Sequence, residues 1–327
     1  MQAKYDATYH LGLAERGGAI LTENAVVSRV VAGDDGEIVS VEYLDPSGMP
    51  HTVTGRSFVL AANAIETAKL LLMSGIANSS DLVGRNLMDH PTTWARGTAA
   101  EPYTGYRGPL QTAGIDQLRE GDFRSERGAF RVEVNTDVGS PLATAGALIG
   151  EGLVGTALFS EIARRAPFAV WLAVMIEQLP DPENRVTLAD DTDALGLPRP
   201  KLTYAHSDYV MQGAVAAQET LGKLLDGVGA TNVQTAPALG GAGHLIGTVR
   251  MGDDPATSVA DSFGRTHDHP NLFLAGSGLF PTAGTANPTL TIAALALRSA
   301  ARISRELGLM PVATPSASPT SPVATPG

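Results

Sequence analysis

Residues 57–75 read SFVLAANAIETAKLLLMSG, and this stretch decides the fold class. Its first part, residues 57–62, is a continuous apolar run that is typical of a strand covered on both faces. Residues 65–73 follow with apolar side chains at helical spacing, and Gly75 stands where a helix commonly ends on a left-handed residue. A strand that runs directly into a helix predicts part of an α/β nucleotide-binding domain.

On the N-terminal side of this unit, residues 18–60 alternate β-branched runs with turn residues. The runs at 25–31 and 38–44 are separated by Asp-Asp-Gly at 34–36, and a second turn, Asp-Pro-Ser-Gly, follows at 45–48. Short β-branched runs joined by tight turns predict an antiparallel β-meander.

On the C-terminal side, a second strand and helix repeat the pattern. Residues 271–275, NLFLA, form another buried apolar run. The segment 288–307 has the strongest helical spacing in the chain, with Asn287 predicted as its N-cap, Pro288 as its first residue and Gly308 just beyond its end. Strand–helix units therefore flank the middle of the chain on both sides.

The middle of the chain has a different pattern, with long polar connections. We expect strands at 131–135, 169–178 and 184–188 and a helix at 209–225. The Ala/Gly-rich stretch at 141–159 is expected to be a buried helix or strand. The simplest architecture is a discontinuous α/β domain interrupted by an inserted β-rich domain.

These patterns divide the chain into an α/β (α+β) arrangement of two domains. Residues 1–90 and 245–312 are expected to form the discontinuous α/β domain, and residues 91–244 the inserted antiparallel-β domain. Residues 313–327 belong to a tract rich in Pro, Ser and Thr. Because such a tract cannot bury apolar surface, it predicts a disordered tail.

Composition limits the function classes. The chain of 327 residues has a formal net charge of −11 and contains no cysteine. An acidic chain lacks the concentrated basic surface that nucleic-acid binding needs, and without cysteine there is no thiol nucleophile and no zinc–thiolate site. No apolar run is long enough to span a bilayer, and the start of the chain lacks the pattern of a secretory signal. A cytoplasmic location is favoured by that absence, but the compartment stays open because the native N-terminus need not be Met1.

Two glycine-rich segments invite a dinucleotide-binding interpretation. Residues 241–243 with Gly247, and Asp261 about 20 residues further on, imitate the Rossmann fingerprint. Their spacing is GxGxxxG, however, and no clear strand precedes them. Residues 276–278 do follow a strand, but Pro281 stands where a helix should begin. Neither segment predicts a pyrophosphate loop, so an NAD-dependent dehydrogenase is the least favoured enzyme class.

His244 lies in the Gly-rich segment 240–248, where small neighbours allow a flat ligand to approach. An imidazole with a pKa of about 6.5 can take or give a proton at neutral pH, but a histidine that caps a turn has the same pattern, and both interpretations stay open. For Asn287, binding the helix amides is the simpler interpretation, and contact with an anionic group at the helix end is compatible with it. The segment 267–269, His-Asp-His, is interpreted as a turn, and no metal site is predicted.

Four blocks follow one another along the chain. They are AANAIET at 61–67, VGRNLMDHP at 83–91, GHLIGTVRMG at 243–252, and NLFLAGSGLFPT at 271–282 with its continuation NPTLT at 287–291. Together they resemble the signatures of the glucose-methanol-choline (GMC) family of FAD-dependent oxidoreductases. The resemblance extends from about residue 5 to residue 308 and is weakest in the middle domain.

This resemblance implies FAD as cofactor and oxidation of an alcohol CH–OH group, with a sugar or polyol as the preferred substrate. It implies that His244 takes the hydroxyl proton while hydride passes to the flavin, and that Asn287 is its hydrogen-bonding partner. The last helix would direct its positive end at the flavin. For His90, a structural hydrogen bond is an equal alternative to a flavin contact. The residues expected to contact the cofactor are Val26, Asn86, Met88, His90, Gly276, Ser277, Pro288 and Thr289.

The chain departs from the family pattern at two positions, with Asn63 where glycine is usual and Gly276 where aspartate is common. The family's glycine-rich FAD fingerprint lies N-terminal to every block matched here. We therefore expect an incomplete FAD-binding (Rossmann-like) domain and a possible separate chain that supplies the ADP-binding segment. The alternative is a truncated or non-catalytic partner chain that needs such a segment.

Overall fold

The computed structural model describes residues 6–107, 111, 113–136 and 140–309. The strands are β1 (Val26–Ala32), β2 (Ile38–Leu44), β3 (Pro50–Thr54), β4 (Phe58–Leu60), β5 (Pro91–Thr98), β6 (Ala113–Ile115), β7 (Phe130–Asn135), β8 (Ala169–Ile176), β9 (Arg185–Thr192), β10 (Pro198–Thr203), β11 (Thr231–Thr235), β12 (Gly240–Gly241) and β13 (Leu272–Leu274). The α-helices are α1 (Thr8–Arg16), α2 (Asn63–Ser74), α3 (Pro141–Gly150), α4 (Gly155–Arg165), α5 (Asp208–Gly227) and α6 (Thr289–Glu306). Among these described helices, none has the length and hydropathy needed to cross a bilayer. The tail predicted at 313–327 lies outside the described residues.

The strands β4 and β13 pair in parallel at the centre of the α/β part of the fold. Leu60 lies opposite Leu274 in this pair, and every residue of β13 is buried. Helix α2 follows β4 and ends at Gly75, whose φ of 67° is the left-handed geometry that favours glycine. The strand predicted at 57–62, the helix predicted at 65–73 and the α/β fold class are confirmed.

The predicted meander is an antiparallel sheet in the order β1-β2-β3. Val30 and Ile38 are buried in the same core as the parallel pair. Asn271, one residue before β13, joins the two sheets, because its Oδ1 accepts from the Ile38 amide and its Nδ2 donates to the Ile38 carbonyl, both at 2.8 Å. The meander is therefore fixed against the strand that leads into the candidate site.

The middle of the chain forms a second, antiparallel sheet in the order β11-β5-β8-β7-β6, with β12 pairing to β5. Helix α5 packs on it through a buried face that includes Val210 and Leu221, and this core shares no residue with the first one. The structure confirms the strands predicted at 131–135, 169–178 and 184–188 and the helix predicted at 209–225. The predicted division into two domains, with its boundaries, stays a prediction.

The prediction of a buried element over residues 141–159 is wrong. The segment forms α3 and the first part of α4, and Leu148 is the single buried residue of these two described helices. The hydroxyl of Ser140 caps α3, and Gly155, with φ of 60°, starts α4 after a turn. The apolar composition of the segment reflects the helix propensity of alanine and leucine rather than burial.

The start of α6 also differs from the prediction. The helix begins at Thr289, Pro288 occupies the N-cap position, and no side chain caps the helix. Asn287 is therefore not the N-cap. Pro288 itself starts the helix, because its ring fixes φ near the helical value and its carbonyl accepts the first helical bond, from Ile292 at 3.0 Å. Gly308 follows the helix with φ of 69°, as predicted.

Candidate active site

The candidate site lies where β4 and β13 end. Both strands of a parallel pair present their carboxyl ends at the same edge, which is where α/β folds bind ligands. After β4 the chain turns into α2, and after β13 it forms a 3-10 turn at Ser277–Leu279. The segment 244–248 packs between these turns, and the hydroxyl of Thr248 donates to the Ala64 carbonyl at 2.6 Å. Three of the four sequence blocks therefore meet at this edge.

The fourth block, at 83–91, lies antiparallel to the segment that carries His244. Met88 and Ile246 exchange both main-chain hydrogen bonds, each at 2.9 Å. Gly247 follows with φ of 95°, and a Cβ at this position would lie 2.3 Å from the carbonyl oxygen of Asn86. Only glycine permits this close approach, which brings residues 88–90 beside His244.

The imidazoles of His90 and His244 form the centre of the site. Their Nδ1 atoms lie 2.9 Å apart, and their ring planes meet at 84°. His90 is 0% exposed, and its Nε2 lies 3.3 Å from the carbonyl oxygen of Ala283. His244 is only partly buried, so it is the ring of the pair that a substrate can reach.

Burial lowers the pKa of both histidines. For His244, withdrawal from water is the larger effect, and the negative charge of Asp89 opposes it. For His90, burial comes first and the neighbouring His244 acts in the same direction, against the Ala283 carbonyl and Asp89. Both rings are therefore neutral at neutral pH, and a neutral imidazole can accept a proton.

Asp89 binds the main chain around both histidines. Its Oδ1 accepts from the amides of His90 and His244, each at 2.7 Å, and its Oδ2 accepts from the amide of Gly243 at 3.1 Å. The ligand atoms of Asp89, His90 and His244 lie within 4.8 Å of one another, as in some metal sites. The carboxylate is occupied by main-chain amides, however, so this geometry is explained by positioning of the histidines. The absence of a metal site stays a prediction.

The inserted domain supplies a second layer around Asp89. The amide of Asp89 donates to Oε1 of Gln178 at 3.0 Å, and the hydroxyl of Tyr204 donates to the same oxygen at 2.6 Å. Burial, with the charge of Asp89 adding to it, raises the pKa of Tyr204 to about 12. The Tyr204 hydroxyl therefore keeps its proton at neutral pH and donates it to Gln178. This bond fixes the side-chain amide of Gln178, which in turn binds the main-chain amide of Asp89.

The structure brings several predicted cofactor residues to this place. Asn86 is buried, and its Nδ2 has no hydrogen-bond partner among the described residues. Met88 and His90 lie on the same segment. The hydroxyl of Ser277 donates to the Leu245 carbonyl at 2.5 Å, which holds the turn after β13 beside the histidine segment.

Among the described residues, no side-chain hydrogen bond joins the remaining predicted site residues to this cluster, although Ile292 and Leu295 of α6 pack against Met88 and Ile246. Val26 lines a cavity of about 520 Å³ together with the turn between β4 and α2. At the start of α6, Pro288 is buried and Thr289 is exposed. Asn287 is exposed, and the ring nitrogen of His244 is bonded to His90 instead. The pairing of Asn287 with His244 stays a prediction.

The two departures from the family pattern have a backbone explanation. Asn63 has φ of 61°, and its Oδ1 accepts from the amides of Ile65 and Glu66 at 2.9 and 3.2 Å. Asparagine tolerates this left-handed geometry better than most residues, so it replaces glycine there and caps α2. Gly276 has φ of 119° and ψ of −175°. This region is open almost only to glycine, so an aspartate would be strained at that position.

Sequence reasoning missed Asp89, Gln178 and Tyr204. Asp89 lies within the sequence block at 83–91, so this motif could have identified it as a site residue. Gln178 and Tyr204 lie in connections of the inserted domain that carry no motif, and only the folded chain places them beside Asp89.

The segments that carry this site match known protein families. Two family models described as GMC oxidoreductase match residues 3–92 and 180–296. The chain belongs to the GMC oxidoreductase family. The first model ends at the DHP loop that carries His90, and the second includes His244 and the start of α6.

Curated members of the GMC family resemble most of this chain. Fructose dehydrogenase large subunit from Gluconobacter japonicus is 41% identical over 313 residues, which cover 93% of this chain and 57% of the relative. Paromamine 6'-oxidase from Streptomyces fradiae is 32% identical over 286 residues, which cover 82% of this chain and 49% of the relative. The chain therefore spans about half the length of the curated relatives it matches.

Solved structures share the fold at low sequence identity. Pyridoxine 4-oxidase from Mesorbium loti matches with a TM-score of 0.55 and 19% identity over 87% of this chain and 57% of that chain. Formate oxidase from Aspergillus oryzae RIB40 matches with a TM-score of 0.59 and 16% identity over 86% of this chain and 60% of that chain. These likenesses support an α/β FAD-binding fold with an antiparallel sheet.

FAD, the cofactor that the family implies, fits the residues present at two places. The unpartnered Nδ2 of buried Asn86 is a donor that a polar ring edge would satisfy. The cavity beside Val26 and Asn63 lies at the carboxyl end of β4, where a nucleotide is expected in this fold. Among the described residues, no glycine-rich loop of pyrophosphate-binding spacing lies between a strand and a helix.

Proposed function

We propose that this chain carries the catalytic part of an FAD-dependent oxidoreductase that oxidises a CH–OH group of a sugar or related polyol. The observation that carries the proposal is the neutral pair His90–His244, held by Asp89 where β4 and β13 end. The relatives named fructose dehydrogenase large subunit and paromamine 6'-oxidase support this substrate class.

In the proposed reaction, His244 takes the hydroxyl proton of the substrate. As the O–H bond gives up its proton, the C–O bond becomes a double bond, and the carbinol hydrogen leaves with its electron pair. FAD, when bound, supplies the acceptor for this hydride. The carboxylate of Asp89 lies close enough to favour the imidazolium that forms at His244.

Other residues hold the reactants in this proposal. Asn287 is the proposed second polar group for the substrate oxygen. Asn86, Met88, Ser277 and the start of α6 would hold the flavin ring, and the first-turn amides of α6 have no side-chain cap that would compete for them. The carbonyl product leaves, and the proton on His244 returns to solvent.

A further polypeptide segment is part of the proposal, because the parallel sheet leaves apolar surface exposed. The described parallel sheet has two strands. Val59, in the middle of β4, is 50% exposed, and Leu290 and Leu297 on α6 are 83% and 74% exposed. A segment that packs on this surface would cover these side chains and supply the ADP-binding loop. A separate subunit is one source, since the Gluconobacter japonicus relative is named a large subunit.

The test is flavin reduction. The chain is purified with FAD, alone and co-expressed with the portion of the Gluconobacter japonicus relative that it does not cover. Anaerobic bleaching of the flavin by fructose and by a panel of polyols is then followed. We expect bleaching with the wild type, and a rate reduced about 10²–10⁴-fold with His244→Ala. His51→Ala is the control, because His51 is exposed on β3 and pairs with Asp45.

Two outcomes would overturn the proposal. One is a flavin-loaded wild type that no alcohol reduces, which would favour a non-catalytic partner chain. The other is a His244→Ala variant that is reduced at the wild-type rate.

A further inference from the structure

His90 has both ring nitrogens engaged inside the protein. Its Nε2 lies 3.3 Å from the carbonyl oxygen of Ala283, and its Nδ1 lies 2.9 Å from Nδ1 of His244. A carbonyl oxygen accepts hydrogen bonds and cannot donate them, so the proton of neutral His90 is on Nε2. The Nδ1 atom of His90 is therefore an acceptor.

The acceptor on His90 determines the proton on His244. Two nitrogen atoms 2.9 Å apart share one hydrogen, and His90 cannot supply it from Nδ1 when its proton is on Nε2. The hydrogen between the rings therefore belongs to Nδ1 of His244. In neutral His244, Nε2 is then the nitrogen without a proton.

We infer that the main-chain carbonyl of Ala283, acting through His90, fixes His244 as the Nδ1–H tautomer and so makes Nε2 of His244 the proton acceptor. His90 is a positioning residue in this arrangement, since it acts through His244. The inference rests on the proposed function for its chemical meaning, whereas the tautomer itself is a property of the protein alone.

The opposite arrangement would disable the proposed base. If His90 carried its proton on Nδ1, Nδ1 of His244 would accept it, and the proton of His244 would move to Nε2. The Ala283 carbonyl would then lose its donor from fully buried His90, and an unmade hydrogen bond inside the protein is costly because water cannot replace it. The carbonyl therefore selects the arrangement in which Nε2 of His244 can take a proton.

The charged and titratable groups around the pair are compatible with this arrangement. The carboxylate of Asp89 accepts from main-chain amides, so it does not compete for either imidazole proton. Tyr204 donates its hydroxyl to Gln178. His206 is near enough to Asp89 to be affected by its charge, but its ring stacks edge-on against Tyr204. When His244 is protonated at Nε2, its Nδ1–H still donates to His90, so the cation forms without rearrangement of the pair.

The test is the tautomer of His244 by NMR. The full chain is labelled with ¹⁵N-histidine, and long-range ¹H–¹⁵N correlation spectra are recorded at neutral pH without flavin or substrate. The chain has 7 histidines, and the His244 and His90 signals are assigned by their loss in His244→Gln and His90→Asn. We expect a protonated Nδ1 and bare Nε2 for His244, and the reverse for His90.

Two variants test the dependence on His90. His90→Asn keeps an acceptor next to Nδ1 of His244 and should retain its tautomer. His90→Phe removes the acceptor and should cause loss of the Nδ1–H form as the majority species. A wild-type spectrum with Nε2–H at His244 overturns the inference, as does a His90→Phe spectrum with an unchanged His244 tautomer. If His90→Phe does not fold, the wild-type and His90→Asn spectra still decide. An enzyme that failed to oxidise alcohols would overturn the proposed function and leave this tautomer measurement valid.

Discussion

The carboxylate of Asp89 binds the main chain of His244, with 2.7 Å between Oδ1 and the amide nitrogen. The same oxygen accepts from the amide of His90 at 2.7 Å. One side chain therefore fixes two segments that are far apart in the sequence, and the imidazole pair depends on it. Replacement of Asp89 therefore tests how the base His244 is positioned without removing its imidazole.

Asp89→Asn should destabilise the protein and slow proton transfer. The amide keeps one oxygen for the two histidine amides, but its Nδ2 would face the donor of Gly243, which now donates to Oδ2. We expect a loss of about 1–3 kcal/mol in the free energy of unfolding, measured with urea, because a charge-assisted bond becomes a donor–donor contact.

Asp193→Asn is the matched control for that change. Oδ1 of Asp193 accepts from the amides of Leu195 and Leu197, and an asparagine oxygen can still accept both. Flavin reduction should be unchanged in this variant. Unfolding of Asp89→Asn at the wild-type urea concentration would contradict the positioning role of Asp89.

Glycine substitutions test the close pairing of the two site segments. Gly247→Ala places a Cβ 2.3 Å from the carbonyl oxygen of Asn86 at φ of 95°, so the segments must separate. We expect a loss of stability above the ~1–2 kcal/mol that left-handed geometry alone costs an L-residue. Gly243→Ala separates the two causes, because φ there is 71° but nothing lies within 4 Å of the added Cβ. Thermal unfolding of both variants should rank Gly247→Ala as clearly the less stable, and equal losses would argue against a steric role for Gly247.

Acid should weaken the fold through the two site histidines. Their pKa values are lowered by burial, so below the ordinary value of 6.5 the unfolded chain binds more protons than the folded chain at these positions. Stability is then fully present above pH 6.5 and decreases as pH falls below it. Protonation of carboxylates also lowers the stability of the fold in acid. The contribution of His244 is therefore obtained by comparing the pH dependence of the wild type with that of a variant that lacks this histidine.

The measurement is the free energy of unfolding at about pH 5 and about pH 7.5. The difference between the two pH values should be smaller in His244→Gln than in the wild type, because one titrating group with a lowered pKa is gone. His206, whose pKa burial also lowers, is unchanged in both proteins. An equal pH dependence in His244→Gln and wild type would show that His244 is not the group responsible.

The sequence predicts those parts of the fold in which apolar residues recur at the regular spacing of a strand or a helix. The strand–helix unit at 57–75 and the strand at 271–275 were predictable because each buries an apolar run beside a glycine that ends it. The prediction of a buried element at 141–159 is wrong, since alanine favours both helices and cores. Within the site, the motifs identified His244 and His90, but the hydrogen bonds of Asp89 span 154 and 155 residues of sequence. Such contacts arise only when the segments at 86–90 and 243–247 pair.

Asn63 offers a test of how this chain accommodates a residue where the family pattern has glycine. Asn63→Gly keeps the left-handed φ of 61° accessible but removes the oxygen that caps Ile65 and Glu66. Glycine is nearly as good as asparagine at an N-cap, so we expect a loss of only a few tenths of a kcal/mol. Asn63→Ala removes the cap and adds left-handed strain, with an expected loss of about 2–3 kcal/mol. Asn63→Asp keeps an acceptor at the helix start and should be close to wild type.

Thermal unfolding of the three variants gives the ranking. If Asn63→Ala is as stable as Asn63→Gly, the left-handed geometry at this turn is not what selects glycine or asparagine.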